Sequence, residues 1–345
     1  MIAAARFRRV PIHSVSASNP AQTPLRAQSA ACVLLVRPAA FGYNPETAAT
    51  NHFSRRPDAG SQLLQRGAVA QFDALCAALE AAGVRTCIAE DTAEPAKPDA
   101  VFPNNWVSWH HDGTVVLYPL QSVSRRAERR PELIAAVERQ SGFKRRRLID
   151  LSGHEREGRY LEGTGSLVLD HRQGIAYACR SARTDETLLA QWSESLHYTP
   201  CVFDARASDG STPYHTNVML AIGTHWVIVC SAAIVPADRE RVLAGLAAPG
   251  RTLIDITDDA MQHFAGNVLE VRAGGAATLA AASALRCNRQ VLVMSTSAAA
   301  ALQAQAGAWQ ALRGCVDEVI AVDVGVIERS GGGSVRCMLA EVFGT

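Results

Sequence analysis

The sequence has almost no charge imbalance. Lysine plus arginine number 34 against 33 aspartate plus glutamate, a net charge of +1, so the basic surplus of a dedicated nucleic-acid binder is missing. Paired-cysteine spacing is missing too. The nine cysteines fall at 32, 76, 87, 179, 201, 230, 287, 315 and 337. No two are three apart, which removes the usual zinc and dithiol motifs. Their odd number, and places inside apolar runs such as Ala178-Cys179 and Val229-Cys230, speak against a disulfide scaffold and for a reducing, cytoplasmic setting. No apolar run suits a membrane helix: the best stretch, Val218 to Val235, is broken by Gly223, Thr224 and His225. Acids are absent from the start of the chain. The first is Glu46, while residues 1–30 carry Arg6, Arg8, Arg9 and Arg26 among Ser and Ala. That composition suits an organelle transit peptide, but no secretory apolar segment is present. A frayed, disordered extension or an early start codon is the preferred reading, with one catalytic domain over 31–345.

What is present fits a folded enzyme: 345 residues, 48% hydrophobic and 19% charged. From residue 101 one pattern recurs: two short apolar runs with a turn between them, a helical stretch, then a third apolar run. The first unit is Val101–Trp109 and Thr114–Leu120 around an Asp112-Gly113 hairpin signal, a helix from Pro131 to Gln140 and a strand at Arg147–Leu151. The second is Ser166–Asp170, Ile175–Cys179, a helix near 185–197 and Thr199–Asp204. The third is Asn217–Ile222, Trp226–Cys230, a helix from Pro236 to about Ala247 and Thr252–Ile256. The fourth is Asn267–Arg272, Gln290–Ser295 (or a second strand starting near Ala277), a helix near 298–313 and Glu318–Val322. The fifth closes the chain: a final strand Val335–Phe343 pairs with Ala31–Arg37, followed by a helix at about 66–82 and a strand at Val84–Ala89. Five such units suggest an α/β ring, a five-fold pseudo-symmetric propeller of small sheets with helices outside and no open edges.

Four features head their units or lie in the last one. Gly331-Gly332-Gly333-Ser334-Val335-Arg336-Cys337 offers backbone freedom and a thiol beside open amides. Taken alone it reads as a hinge before a buried cysteine, and it lacks the lysine and following helix of a phosphate loop. Glu162-Gly163-Thr164-Gly165 reads alone as a solvated turn. Tyr214-His215-Thr216-Asn217 reads alone as a structural histidine. Asp99 to Asn105, with Asn104-Asn105 beside Pro103, reads alone as turn chemistry. In a ring these positions converge on one central pocket, bringing a thiol, an imidazole, a carboxylate and amides together.

On these residues the chain resembles the guanidine-modifying, pentein-fold superfamily of arginine deiminases, dimethylarginine hydrolases and amidinotransferases. Gly331–Met338 resembles its Gly-rich catalytic cysteine motif. Glu162-Gly163-Thr164-Gly165 resembles its Glu-Gly-Gly-Asp segment, and His215-Thr216-Asn217 the segment where histidine precedes aspartate by two. Asp99 to Asn105 resembles Pro-Asp-x-x-Phe running to a pair ending in aspartate. Ser181-Ala182-Arg183-Thr184 and Ser124-Arg125-Arg126 resemble its Ser-x-Arg-Thr and Ser-Arg-Arg elements. The likeness runs in order from about residue 31 to 343, and the superfamily's five-fold propeller agrees with the five units. Arg37-Pro38 to Phe41, Asn44, Glu46-Thr47 and Asn51-His52-Phe53 resemble the citrulline hydrolase (citrullinase) branch.

The resemblance implies Cys337 as nucleophile, His215 as general acid and base, and Glu162 orienting His215 or accepting from the substrate. Asp99 would meet the substrate ammonium, and Arg183 with Arg125 or Arg126 its carboxylate. No metal or organic cofactor is implied; the partner is a small amino-acid substrate, with no nucleic acid or membrane, and a homo-oligomer is left open. Two departures bear on the substrate. Where relatives grip a guanidinium with aspartates, Asn105 and Asn217 stand here. An amide both donates and accepts, which suits a neutral ureido group: its oxygen needs donors and its N–H groups need acceptors. Hydrolysis of citrulline to ornithine, ammonia and carbon dioxide is therefore expected. A guanidine hydrolase, deiminase or amidinotransferase is the nearest rival; a non-catalytic ring-fold binding protein and a phosphate-binding module stand further off. Arg336 replaces the histidine that relatives often carry before the cysteine.

Overall fold

A computed structural model describes residues 26–58, 60–247, 250–274 and 288–345. The alternative strand start near Ala277, Cys287 and most of the 1–30 extension lie outside the described residues. Fifteen strands are described: β1 (Cys32–Arg37), β2 (Arg85–Glu90), β3 (Val107–Trp109), β4 (Thr114–Leu117), β5 (Arg147–Asp150), β6 (Val168–Asp170), β7 (Ile175–Cys179), β8 (Thr199–Phe203), β9 (Leu220–Ile222), β10 (Trp226–Val229), β11 (Thr252–Asp255), β12 (Leu269–Ala273), β13 (Arg289–Ser295), β14 (Glu318–Val322) and β15 (Ala340–Val342).

One pairing scheme repeats five times. An antiparallel pair is extended by a parallel strand in β3-β4-β5, β6-β7-β8, β9-β10-β11, β12-β13-β14 and β15-β1-β2. A helix leads to each parallel strand, because a parallel crossover cannot be made by a tight turn. The five triplets are not five separate sheets. Val342 of β15 pairs with Trp109 of β3, which fuses two triplets into a six-stranded sheet.

Local chemistry accounts for the outer elements. The helix Ser61–Ala81 buries Ala68, Phe72, Leu75 and Leu79 at helical spacing. On β1, Val33 and Leu35 join that helix's core, whereas Cys32, Leu34 and Val36 join the core around Trp106 and Trp109, the period-two split of a strand buried on both faces. Asp185 caps Glu186–Leu196 by accepting from Leu188 N at 2.9 Å.

The inner strands are shorter than the apolar runs suggest. Pro103–Asn105, Gly163–Ser166, Thr216–Val218 and Val335–Met338 are short helical turns ahead of β3, β6, β9 and β15. A buried turn carries the same apolar residues as a buried strand, so composition does not separate them. The Ala-rich stretch is likewise two helices, Thr296–Ala304 and Ala308–Arg313, interrupted at Gly307 in the left-handed region (φ 78°). Among the described residues no helix is long and apolar enough to cross a membrane.

Candidate active site

The helical turns ahead of the inner strands supply the site. The helix Gly325–Gly331 stops at Gly332 (φ 67°), whose carbonyl accepts from Asn51 Nδ2 at 3.0 Å and Tyr214 Oη at 2.6 Å. Ser334 Oγ donates to Glu328 Oε1 at 2.6 Å, and Cys337 N donates to Ser334 O at 3.0 Å. These bonds hold the turn that carries Cys337. A short helical turn thus follows the glycines, where the sequence suggested a strand. Cys337 is 3% exposed and borders a narrow cleft with His215, Asp99, Asn105, Arg125 and Arg183 on its walls. Burial pushes the thiol above its usual range, against amide donors from Asn267 and Asn217.

Glu162 is fully buried. Its Oε2 accepts from His215 Nε2 at 2.8 Å and Arg183 Nη1 at 3.3 Å, and its Oε1 from Gln121 N at 3.0 Å. Burial alone would raise its pKa; the charge of Arg183 and the His215 hydrogen bond outweigh that and hold the carboxyl well below the usual range. Burial lowers His215 to about 4, despite the pull of Glu162. The imidazole is therefore neutral at neutral pH. With Nε2–H assigned to the carboxylate, Nδ1 carries the lone pair, and it has no partner. Glu162 itself does not line the cleft; its reach ends at His215.

Asn105 is oriented by Arg125. Arg125 donates from Nε and Nη2 to the Glu128 carboxylate at 2.9 Å each, from Nη2 to Phe102 O at 3.2 Å, and from Nη1 to Asn105 Oδ1 at 2.8 Å. A guanidinium can only donate, so Asn105 must turn its oxygen to Arg125 and its Nδ2 away. That Nδ2 is buried and unpartnered. Burial raises Glu128 to about 7, against the pull of Arg125.

The other expected residues are spread differently. Asp99 accepts from Asn44 Nδ2 at 2.7 Å, and burial raises its carboxyl above the usual range. Arg183 donates to Thr47 O and Thr50 Oγ1 at 2.8 Å each, besides Glu162. Arg126 turns away: its Nε lies 3.2 Å from Glu155 and it does not line the cleft. Asn217 does not line the cleft: its Nδ2 donates to Thr164 O at 3.1 Å and lies 3.8 Å from Cys337 Sγ. Arg336 points to Leu339 O and Glu341, at 3.0 and 2.9 Å. Sequence reasoning missed Asn267, whose Nδ2 lies 3.3 Å from Cys337 Sγ. It heads the fourth unit, in the position that yielded candidates from the other four. Nothing local marks Glu128, and the sequence offers Tyr214 only as the neighbour of His215. Among the described residues, no group of three or more His, Cys, Asp or Glu is arranged to hold a metal.

A thiol, a free imidazole lone pair and an amide donor around one cleft can add sulfur to a planar carbon and protonate a leaving nitrogen. Gly165 is what leaves room for them. A Cβ there would sit 2.6 Å from His215 Nδ1 and 2.5 Å from Asn105 Nδ2. Gly165→Ala is expected to lower kcat on the order of 10²-fold, the cost of displacing catalytic groups by about an ångström. Steady-state kinetics on a variant with an unchanged melting profile checks this.

Solved structures share the fold. The arginine dihydrolase ArgZ from the ornithine-ammonia cycle in Cyanobacteria superposes with a TM-score of 0.66 at 14% identity, covering 91% of this chain and 41% of that one. A substrate-bound variant of ArgZ's N-terminal domain matches at TM-score 0.64 and 15% identity, covering 90% and 98%. A dimethylarginine dimethylaminohydrolase adduct with 4-chloro-2-hydroxymethylpyridine matches at 0.58 and 15%, covering 90% and 98%. The chain thus spans under half of full-length ArgZ and nearly all of its N-terminal domain. No curated protein sequence matches it significantly. The family model for N,N dimethylarginine dimethylhydrolase, eukaryotic, matches residues 37–344, so the chain belongs to that family, within the guanidine-modifying pentein superfamily.

Proposed function

We propose that the protein is a cysteine-dependent hydrolase of the ureido group of L-citrulline, releasing ornithine, ammonia and carbon dioxide. Asn105 Nδ2 carries this reading: it is a buried donor with nothing to donate to. A ureido oxygen accepts from it. A guanidinium presents only N–H groups, and setting donor against donor leaves a buried group unpaired at a cost of about 1–3 kcal/mol. The five strand triplets are read as blades of a five-fold pseudo-symmetric ring in one catalytic domain.

In this mechanism the Cys337 thiol proton passes to His215 Nδ1 as Sγ bonds to the ureido carbon. The C–N bond to the alkyl amine then breaks, and His215 returns the proton to the leaving ornithine nitrogen. Neutral His215 next takes a proton from water, which attacks the carbamoyl carbon. The S–C bond breaks, the thiol is restored, and carbamate falls to ammonia and carbon dioxide. Asp99 would receive the substrate ammonium and Arg183 its carboxylate. Arg125, already held by Glu128, acts through Asn105.

One observation favours a guanidine substrate instead. Asp99, Glu128 and Glu162 put three carboxylates around two guanidiniums, Arg125 and Arg183, a balance that an arginine or methylated arginine cation would complete. Purified protein offered citrulline, arginine, agmatine, methylated arginine and ureidopropionate separates the readings. Citrulline is expected to lead in ornithine and ammonia release. Arginine turned over to citrulline selects the guanidine reading, and arginine carried to ornithine selects a dihydrolase like that named for ArgZ. Asn105→Asp, which replaces the donor by an acceptor, is expected to lower kcat/KM for citrulline about 10- to 100-fold. Unchanged citrulline kinetics would count against the ureido reading.

A further inference from the structure

We infer that Asn267 is a catalytic residue, placed in the free protein to stabilise the negative charge that Cys337 Sγ acquires as its thiol proton leaves. Asn267 is completely buried. Its backbone N–H donates to Phe264 O at 2.8 Å, closing the turn that leads into β12. Its Nδ2 donates to the Asn217 carbonyl at 3.0 Å. A carbonyl only accepts, so this bond fixes which end of the Asn267 amide is nitrogen. The same Nδ2 lies 3.3 Å from Cys337 Sγ. Asn217 is fixed likewise by Thr164 O, and its Nδ2 approaches Sγ at 3.8 Å. The sulfur therefore rests against both amides, with each nitrogen nearer than its oxygen: Oδ1 lies at 3.6 Å for Asn267 and 4.0 Å for Asn217, and Asn267 Nδ2 is also 3.3 Å from Asn217 Oδ1.

Among the described residues no unpaired cation touches the sulfur. Arg336, the residue before Cys337, is paired with Glu341 and acts on the sulfur only through its charge. Arg125 is bound to Glu128 and Arg183 to Glu162. His215 is neutral and gives its Nε2 to Glu162. Tyr214, which packs on the His215 ring, uses its hydroxyl on Gly332 O. A buried thiolate is costly, and the Asn267 amide is the largest of the groups that offset that cost, ahead of the Ser334 backbone, the charge of Arg336 and the Asn217 amide. The inference extends the ureido reading: a guanidinium substrate would bring its own positive charge to the sulfur, whereas a neutral ureido group brings none, so activation has to be assembled in advance.

Iodoacetamide alkylation of Cys337, followed against pH by peptide mass mapping without substrate, tests the inference. The ultraviolet thiolate absorbance of the protein minus that of Cys337→Ser gives an independent titration. Asn267→Leu keeps the side-chain volume and removes the donor. Its alkylation at neutral pH is expected to be about tenfold slower, the profile moving alkaline by about one unit, with the alkaline plateau unchanged. Asn267→Asp, with a charge in place of the donor, moves the profile further the same way. A folded Asn267→Leu with the parental profile overturns the inference, as does an equal loss at every pH, which marks a packing role. Unfolding of both variants beside a folded Cys337→Ser also assigns Asn267 to structure alone. No substrate is used, so inactivity on citrulline would defeat the ureido reading without moving this result.

Discussion

Glu162→Gln is expected to lower kcat on the order of 10³- to 10⁴-fold with little change in fold. The carboxylate accepts the Nε2 proton of His215 at 2.8 Å and so leaves the Nδ1 lone pair free. Glutamine can turn its NH₂ to Nε2, which places the imidazole proton on Nδ1. An imidazole in that tautomer cannot take the thiol proton, and a wrong tautomer of this kind costs about 10⁴-fold in a serine-protease triad. The amide oxygen still accepts from Arg183 or Gln121, so the buried charges are not wholly abandoned. The parental pH profile adds a signed expectation. Burial lowers His215 to about 4, so this base is lost only as pH falls through that value; an acidic limb near 7 would instead report Glu128, which burial raises to about 7 and which holds Arg125 on Asn105. Stopped assays across pH check both points. A Gln variant within tenfold of the parent contradicts this role for Glu162.

Cys337→Ser is expected to lose on the order of 10⁴- to 10⁶-fold in kcat, the range seen when a covalent nucleophile is removed. The hydroxyl fits the same space, yet its proton is far harder to remove, and the amide donors that suit a thiolate do not close that gap. Binding is expected to survive, because Asp99, Asn105 and Arg183 are untouched. Calorimetric titration with citrulline should give a Kd within a few-fold of the parental KM-derived value. A Ser variant retaining a tenth of the activity would place the nucleophile elsewhere.

Much of this arrangement is legible in the sequence because the repeat is. Helical spacing, Pro131 and Pro236 at helix starts, and the Asp112-Gly113 turn fix the outer elements closely. The inner turns are harder to read. Val101 and Phe102 are as buried as a strand but lie outside β3, and Val335 and Met338 belong to a helical turn. The fourth unit's Asn267 follows from the same convergence that singles out Asn105, Glu162, His215 and Cys337, yet in the sequence it opens the apolar run of a strand and carries no mark of its own. Partners lie beyond any local signal. Arg125 and Arg126 are neighbours in the turn Ser124–Glu128, but one is 3% and the other 28% exposed at the side chain. Only the fold decides which of them faces Glu128 and Asn105.

The most direct test is to quench the protein in acid during citrulline turnover and identify the group on Cys337 by mass spectrometry. A carbamoyl group on Cys337, absent from Cys337→Ala and increased when hydrolysis is slowed, is the predicted result. An unmodified Cys337 during turnover, or an amidino group formed only from arginine, would contradict it.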